Sequence, residues 1–94
     1  MGEAVTEIYI WNDRTRAAYA RLRAHEGHWR LEWGRRDPPG SDEEVQLGEH
    51  VTSDPAEAVA QMVACIQRLS PEPDEAARVE RELRAVLGLT EEAG

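Results

Sequence analysis

Tyr19-Ala20-Arg21-Leu22-Arg23-Ala24-His25, Glu26-Gly27 and His28-Trp29-Arg30-Leu31-Glu32-Trp33 follow one another without a break, and the fold turns on how they are read. Two alternating runs joined by two residues ending in glycine form a hairpin signal, because so tight a turn needs left-handed backbone. Pairing His25 with His28 sets every later pair. Ala24 then meets Trp29, Leu22 meets Leu31 and Ala20 meets Trp33 on one face, small side chains against large ones. The other face carries His25–His28, Arg23–Arg30, Arg21–Glu32 and Tyr19–Gly34. The competing reading is helical, since Arg14 to His25 is rich in Ala, Arg and Leu, all good helix formers. A helix would align Arg21 and His25 with Ala17 and Ala18 and leave a poor apolar stripe. The period of two is the better fit.

Upstream, Thr6 to Trp11 also alternates, with Ile8 and Ile10 on one side and Glu7, Tyr9 and Trp11 on the other. Asn12 to Thr15 supply turn chemistry. The register that keeps both isoleucines on the apolar face sets Ile8 opposite Ala20, Glu7 opposite Arg21 and Tyr9 opposite Tyr19. Downstream, Gly34 to Asp42 reads as a loop, and Val45 to Val51 as a short fourth strand with a bulge at Gly48. Asp54-Pro55-Ala56-Glu57 opens a helix with an N-cap acid and a proline in its first turn. Val59, Met62, Val63, Ile66 and Leu69 form its apolar stripe. Ser70-Pro71-Glu72-Pro73 stops that helix and starts another, striped by Ala76, Val79, Leu83, Val86 and Leu87 and closed by Gly88. Asp74–Arg78, Arg78–Glu82 and Glu80–Arg84 are spaced to lace its solvent side.

The expected architecture is a single α+β domain over 1–94. A three- to four-stranded antiparallel meander (about 5–51) precedes two C-terminal helices (about 54–69 and 73–87) packed on one face, with 88–94 frayed.

The 94 residues are 40% apolar and 32% charged, a globular rather than a disordered balance. No apolar run approaches the roughly 20 residues of a membrane span, and no secretory signal is expected. Met1-Gly2-Glu3-Ala4-Val5-Thr6 fits the loose myristoylation template, but an ordinary N-terminus is the expectation. The single cysteine, Cys65, cannot form an internal disulfide, which fits a cytoplasmic protein. All eleven basic residues are arginine, as a GC-rich bacterial genome would produce. Residues 1–36 hold seven arginines against five acids, whereas 37–94 hold four against fourteen. With a net charge of −8, binding to nucleic acid or an anionic membrane would have to be local to the first third.

Trp33-Gly34-Arg35 closes a strand within a four-strand-then-helix order, and in this it resembles the WGR domain, which takes its name from that tripeptide. The resemblance spans about Thr6 to Leu69 and extends to Val45-Gln46-Leu47-Gly48 and the helix capped at Asp54. It implies a non-catalytic module contacting nucleic acid or protein, with Trp33 and Arg35 near the contact surface. Here Arg36-Asp37-Pro38-Pro39 intervenes before Gly40, where the family continues with a small apolar residue and a glycine. The order of elements is also broadly similar to that of HicB-type antitoxins, a likeness of shape alone.

The assumed register gathers Tyr9, Trp11, Tyr19, Arg21, Arg23 and Arg30 on one face. Aromatic rings that stack bases beside guanidiniums that hold phosphate suit single-stranded nucleic acid. Alternatively, Glu7 and Glu32 neutralise these arginines, which then lie over aromatic rings on a solvated face. His25 and His28 face each other but make an incomplete metal site, and no zinc-type spacing links them to His50 or Cys65. No phosphate loop, nucleophile elbow or Cys–His pair in a recognisable setting is present. The expectation is a non-enzymatic binding module without cofactor or metal that contacts nucleic acid or protein, or else homodimerises.

Overall fold

The computed structural model describes residues 5–70 and 72–89. Residues 1–4 of the N-terminal template and 90–94 of the segment expected to fray lie outside them, whereas Gly88 and Leu89 are tied to the end of the last helix by bonds to Ala85 and Arg84. The elements run β1 (Thr6–Asn12), β2 (Ala18–His25), β3 (His28–Arg36), β4 (Glu44–Thr52), α1 (Pro55–Leu69) and α2 (Pro73–Leu87). The strands form one antiparallel sheet in the order β1-β2-β3-β4, the expected meander, and both helices cover one of its faces.

The β2–β3 hairpin has the register read from the sequence, from His25–His28 through Tyr19–Gly34 to Ala18–Arg35. Its turn residues Glu26 and Gly27 have φ of 50° and 80°, the left-handed pair that such a connection requires. Leu22, Leu31 and Ala20 are fully buried beneath the helices. Tertiary pairing thus overrides the helix propensity of this segment.

The β1 register differs from the expectation. Ile8 is an extra residue at a bulge, so Glu7 pairs with Arg23, Tyr9 with Leu22, Ile10 with Arg21 and Trp11 with Ala20. The aromatics therefore turn toward the helices and Ile10 toward solvent. The physical reason is area and hydrogen bonding: a Tyr or Trp offers more surface to bury than Ile, and its polar tip can be satisfied by a neighbouring helix. Trp11 Nε1 donates to Glu75 at 3.0 Å, and the Tyr9 hydroxyl donates to Glu82, so both aromatics anchor on α2.

Strand β3 continues through Arg36, three residues into the segment read as loop, and β4 is longer than expected at nine residues. The β4 irregularity falls at Leu47, which has no partner between Gly34–Gln46 and Trp33–Gly48. The Trp33 ring lies across Gly48 so closely that a Cβ there would sit 2.4 Å from Cζ2, which accounts for the glycine.

Asp54 caps α1 by accepting from Ala56 N at 3.0 Å. Val59, Met62 and Ile66 are fully buried, with Cys65 beside them. In α2, Ala76, Val79 and Leu83 are buried as expected, but Val86 is exposed on the flank of the stripe. Arg78 pairs with Glu75 and Glu82 rather than with Asp74, because Glu75 is already held in place by Trp11.

Candidate functional site: the open face of the sheet

With both helices on one side, the other side of the sheet is left mainly to polar residues, and this face carries half of the sequence-predicted contact residues, Tyr19, Arg21, Arg23 and Arg30. Successive cross-strand rows hold Arg36–Glu44, Asn12–Tyr19–Gly34–Gln46, Ile10–Arg21–Glu32–Glu49, Glu7–Arg23–Arg30–Val51 and His25–His28.

One cluster ties all four strands together. Tyr19 is buried, and its ring lies over Gly34, where a Cβ would meet the tyrosine hydroxyl at 2.8 Å and Val45 O at 2.2 Å. The Arg21 and Arg36 guanidiniums stand 4.9 and 5.1 Å from the centre of that ring. Arg21 grips Glu44 with two hydrogen bonds of 3.0 and 2.7 Å. Arg36 donates to Asn12 Oδ1 at 2.7 Å and reaches the same Glu44 at 3.4 Å. The bond from Arg21 holds the Glu44 carboxyl below its ordinary pKa range, with Arg36 adding to the effect. Two guanidiniums share this one carboxylate, and the Nε atoms of both are buried without a hydrogen-bond partner. The sequence reading missed Asn12, Arg36 and Glu44 because their meeting depends on the β1 bulge and on β3 running to Arg36.

Toward the hairpin, Glu32 lies between Arg23 and Arg30 at 3.4 and 3.8 Å, and Glu49 lies 3.7 Å from Arg30. Along the whole face Arg21, Arg23, Arg30 and Arg36 stand against Glu7, Glu32, Glu44 and Glu49, so its fixed charges balance. The arginines are neutralised by carboxylates, and two of them lie over an aromatic ring.

The proposed contact residues are therefore divided. Arg21, Arg23 and Arg30 share the open face with Tyr19, which is covered. Tyr9 and Trp11 are on the helix side, and Trp33 is half-buried there over Gly48. Arg35 is exposed at the edge of that same side, with no ion pair among the described residues. His50 is occupied by Glu57 at 2.9 Å.

A cleft of about 410 Å³ lies between the β1–β2 turn and the start of α2, bordered by Asp13, Thr15, Glu72 and Glu75. These groups are already paired: Asp13 accepts from Ala17, Ala18 and Thr15, and Glu75 from Trp11. Among the described residues no three His, Cys, Asp or Glu side chains are grouped to hold a metal, and no helix is long and apolar enough to cross a membrane. No protein-family model, curated protein or solved structure matches the chain.

Proposed function

We propose that this domain is a non-enzymatic interaction module that meets protein, a second copy of itself included, along β4 and the adjoining strip of the open face. The observation that supports this reading is β4 itself. It is a nine-residue edge strand on which Val45, Leu47 and Val51 are 38, 55 and 48% exposed. An edge strand offers unpaired N–H and C=O groups, and aliphatic side chains beside them give an added strand something to bury. The balanced charge of the open face argues in the same direction, since a phosphate backbone gains most from arginines that lack carboxylate partners.

A second reading, contact with nucleic acid in the manner the WGR resemblance implies, draws support from the exposed Arg35. Two measurements separate the readings: sedimentation velocity from micromolar to millimolar protein, and anisotropy titration with single-stranded and nicked duplex oligonucleotides at low and near-physiological salt. The expected result is self-association that Leu47→Asp/Val51→Asp abolishes, with no oligonucleotide binding. A monomer at millimolar concentration would restrict the contact to a different protein. Salt-sensitive oligonucleotide binding that is lost in Arg23→Glu/Arg30→Glu would overturn the proposal in favour of the second reading.

A further inference from the structure

The free backbone groups of β4 are unevenly spaced. Two residues join β2 to β3, so His25 and His28 form a hydrogen-bonded pair, and such pairs alternate with non-bonded ones along the hairpin. Trp29, Leu31, Trp33 and Arg35 therefore turn their N–H and C=O groups toward β4, whereas the Arg36 N–H turns back to Ala17 O at 2.8 Å. Their partners Thr52, His50, Gly48 and Val45 are engaged in this way. Glu44, Gln46, Glu49 and Val51 are left with N–H and C=O groups pointing off the free edge. The steps between them are two, three and two residues, because Leu47 is the extra residue of the bulge.

That spacing is the same in both chain directions. A regular strand offers steps of two throughout, so it can match this edge on only one side of Leu47. A second copy laid antiparallel repeats the steps of two, three and two and matches all four positions. The pairs are then Glu44 with the partner's Val51 and Gln46 with the partner's Glu49, each occurring twice about a two-fold axis. Val45 faces the partner's His50 on the helix side. These pairs bring no like charges together, and the Gln46 amide can donate to the carboxylate it meets. A ladder centred on Glu49 would instead set two carboxylates opposite one another, which is unfavourable.

Charge on the helix side is complementary in the same ladder. Arg35 is exposed beside Val45 and has no ion pair among the described residues. Glu57, whose side chain is 45% exposed, holds His50 through one carboxylate oxygen at 2.9 Å. Arg35 and the partner's His50 stand two strands apart, about 10 Å. An arginine reaching from one end and the His50–Glu57 pair from the other can span that gap. With β4 as the contact edge, a reading this inference rests on, we propose that its partner is a second copy of the chain. The two copies pair antiparallel about a two-fold axis at the Leu47–Gly48 bulge, joining their sheets into one of eight strands and setting Arg35 against the partner's Glu57.

Val45 and the partner's His50 form a non-hydrogen-bonded pair in this ladder, with Cα atoms about 4.5 Å apart, close enough for a disulfide. Val45→Cys and His50→Cys would be mixed under a mild oxidant, with the buried Cys65 present in both. The mixture should give a linked dimer on a non-reducing gel. Neither variant alone should, since each site lies roughly 15 Å from its own counterpart. By sedimentation equilibrium, Arg35→Glu and Glu57→Arg should each weaken the dimer about tenfold, because the pair occurs twice. The combined variant should recover most of that loss. A dimer that Leu47→Asp/Val51→Asp abolishes, but that forms no mixed disulfide or shows no recovery, would overturn this ladder and leave β4 as the contact. Linking of either cysteine variant with itself would do the same. A monomer at millimolar concentration would overturn the second copy as occupant. A dimer indifferent to Leu47→Asp/Val51→Asp would overturn the β4 contact as well.

Discussion

At the scale of single residues, the glycines and the shared carboxylate explain more than the charge count does. Gly34 is required because the Tyr19 ring and the Val45 carbonyl occupy the space a Cβ would need. Gly34→Ala should therefore destabilise the fold by about 1–3 kcal/mol, the usual cost of overpacking, read as a lower midpoint in urea. A wild-type midpoint would mean that the two strands can separate without cost. Glu44 is the counterion of two guanidiniums, and Glu44→Gln leaves both without it, at a cost of roughly 2 kcal/mol given its partial exposure. Its pKa is depressed in the fold, chiefly by the Arg21 hydrogen bond, so its contribution is present above the ordinary carboxylate range and fades as pH falls through the depressed value. Comparing urea midpoints of wild type and Glu44→Gln from about pH 7 down to pH 3 tests this. The difference should shrink with acidification, and a constant gap would contradict the assignment.

At the scale of elements, α2 is latched to the sheet through β1. Its buried side chains are few, and Tyr9 and Trp11 supply the polar attachment through Glu82 and Glu75. Burial, followed by the bond to Glu82, raises the Tyr9 phenol to about 12. A group whose pKa rises on folding stabilises the fold fully below its unfolded value, near 10, and loses that contribution as pH climbs through the folded value. Wild-type stability should therefore decline between about pH 10 and 12 more steeply than that of Tyr9→Phe. Hydrogen exchange in α2 should quicken at neutral pH in the variant, because the latch is gone. Equal α2 exchange in the two proteins would show that packing alone holds the helix.

At the scale of the whole molecule, the two-layer arrangement separates an inert interior from a reactive exterior. Cys65 lies in the core between α1 and the sheet, and burial raises its thiol to about 11. It should react with a disulfide reagent at neutral pH only as fast as the domain opens, so its labelling rate should follow global stability in the Gly34→Ala and Glu44→Gln variants. Rapid labelling of the native protein would mean that α1 lifts off locally. The net charge of −8 is not spread evenly, since the open face is balanced while much of the acid is carried by the helical half.

The sequence by itself determined the hairpin and its register, because a two-residue turn and four consecutive matched pairs leave a single consistent alignment. It also determined both helices, since proline, an N-cap acid at Asp54 and Gly88 at the C-terminus mark their ends locally. Only the tertiary structure decided which side of β1 faces inward. Ile8 and Ile10 compete with Tyr9 and Trp11 on nearly equal terms by periodicity, and one extra residue at Ile8 exchanges the faces. That exchange moved Tyr9 and Trp11 out of the expected contact surface and brought Asn12 within reach of Arg36. Pairing of the face's arginines with Glu32, and their stacking over an aromatic ring, was legible from the strand register as one of the two readings, but Glu44 was not, because it meets Arg21 across two strand boundaries. Local chemistry sets the turn and the caps, whereas the faces of an edge strand are set by what packs against them.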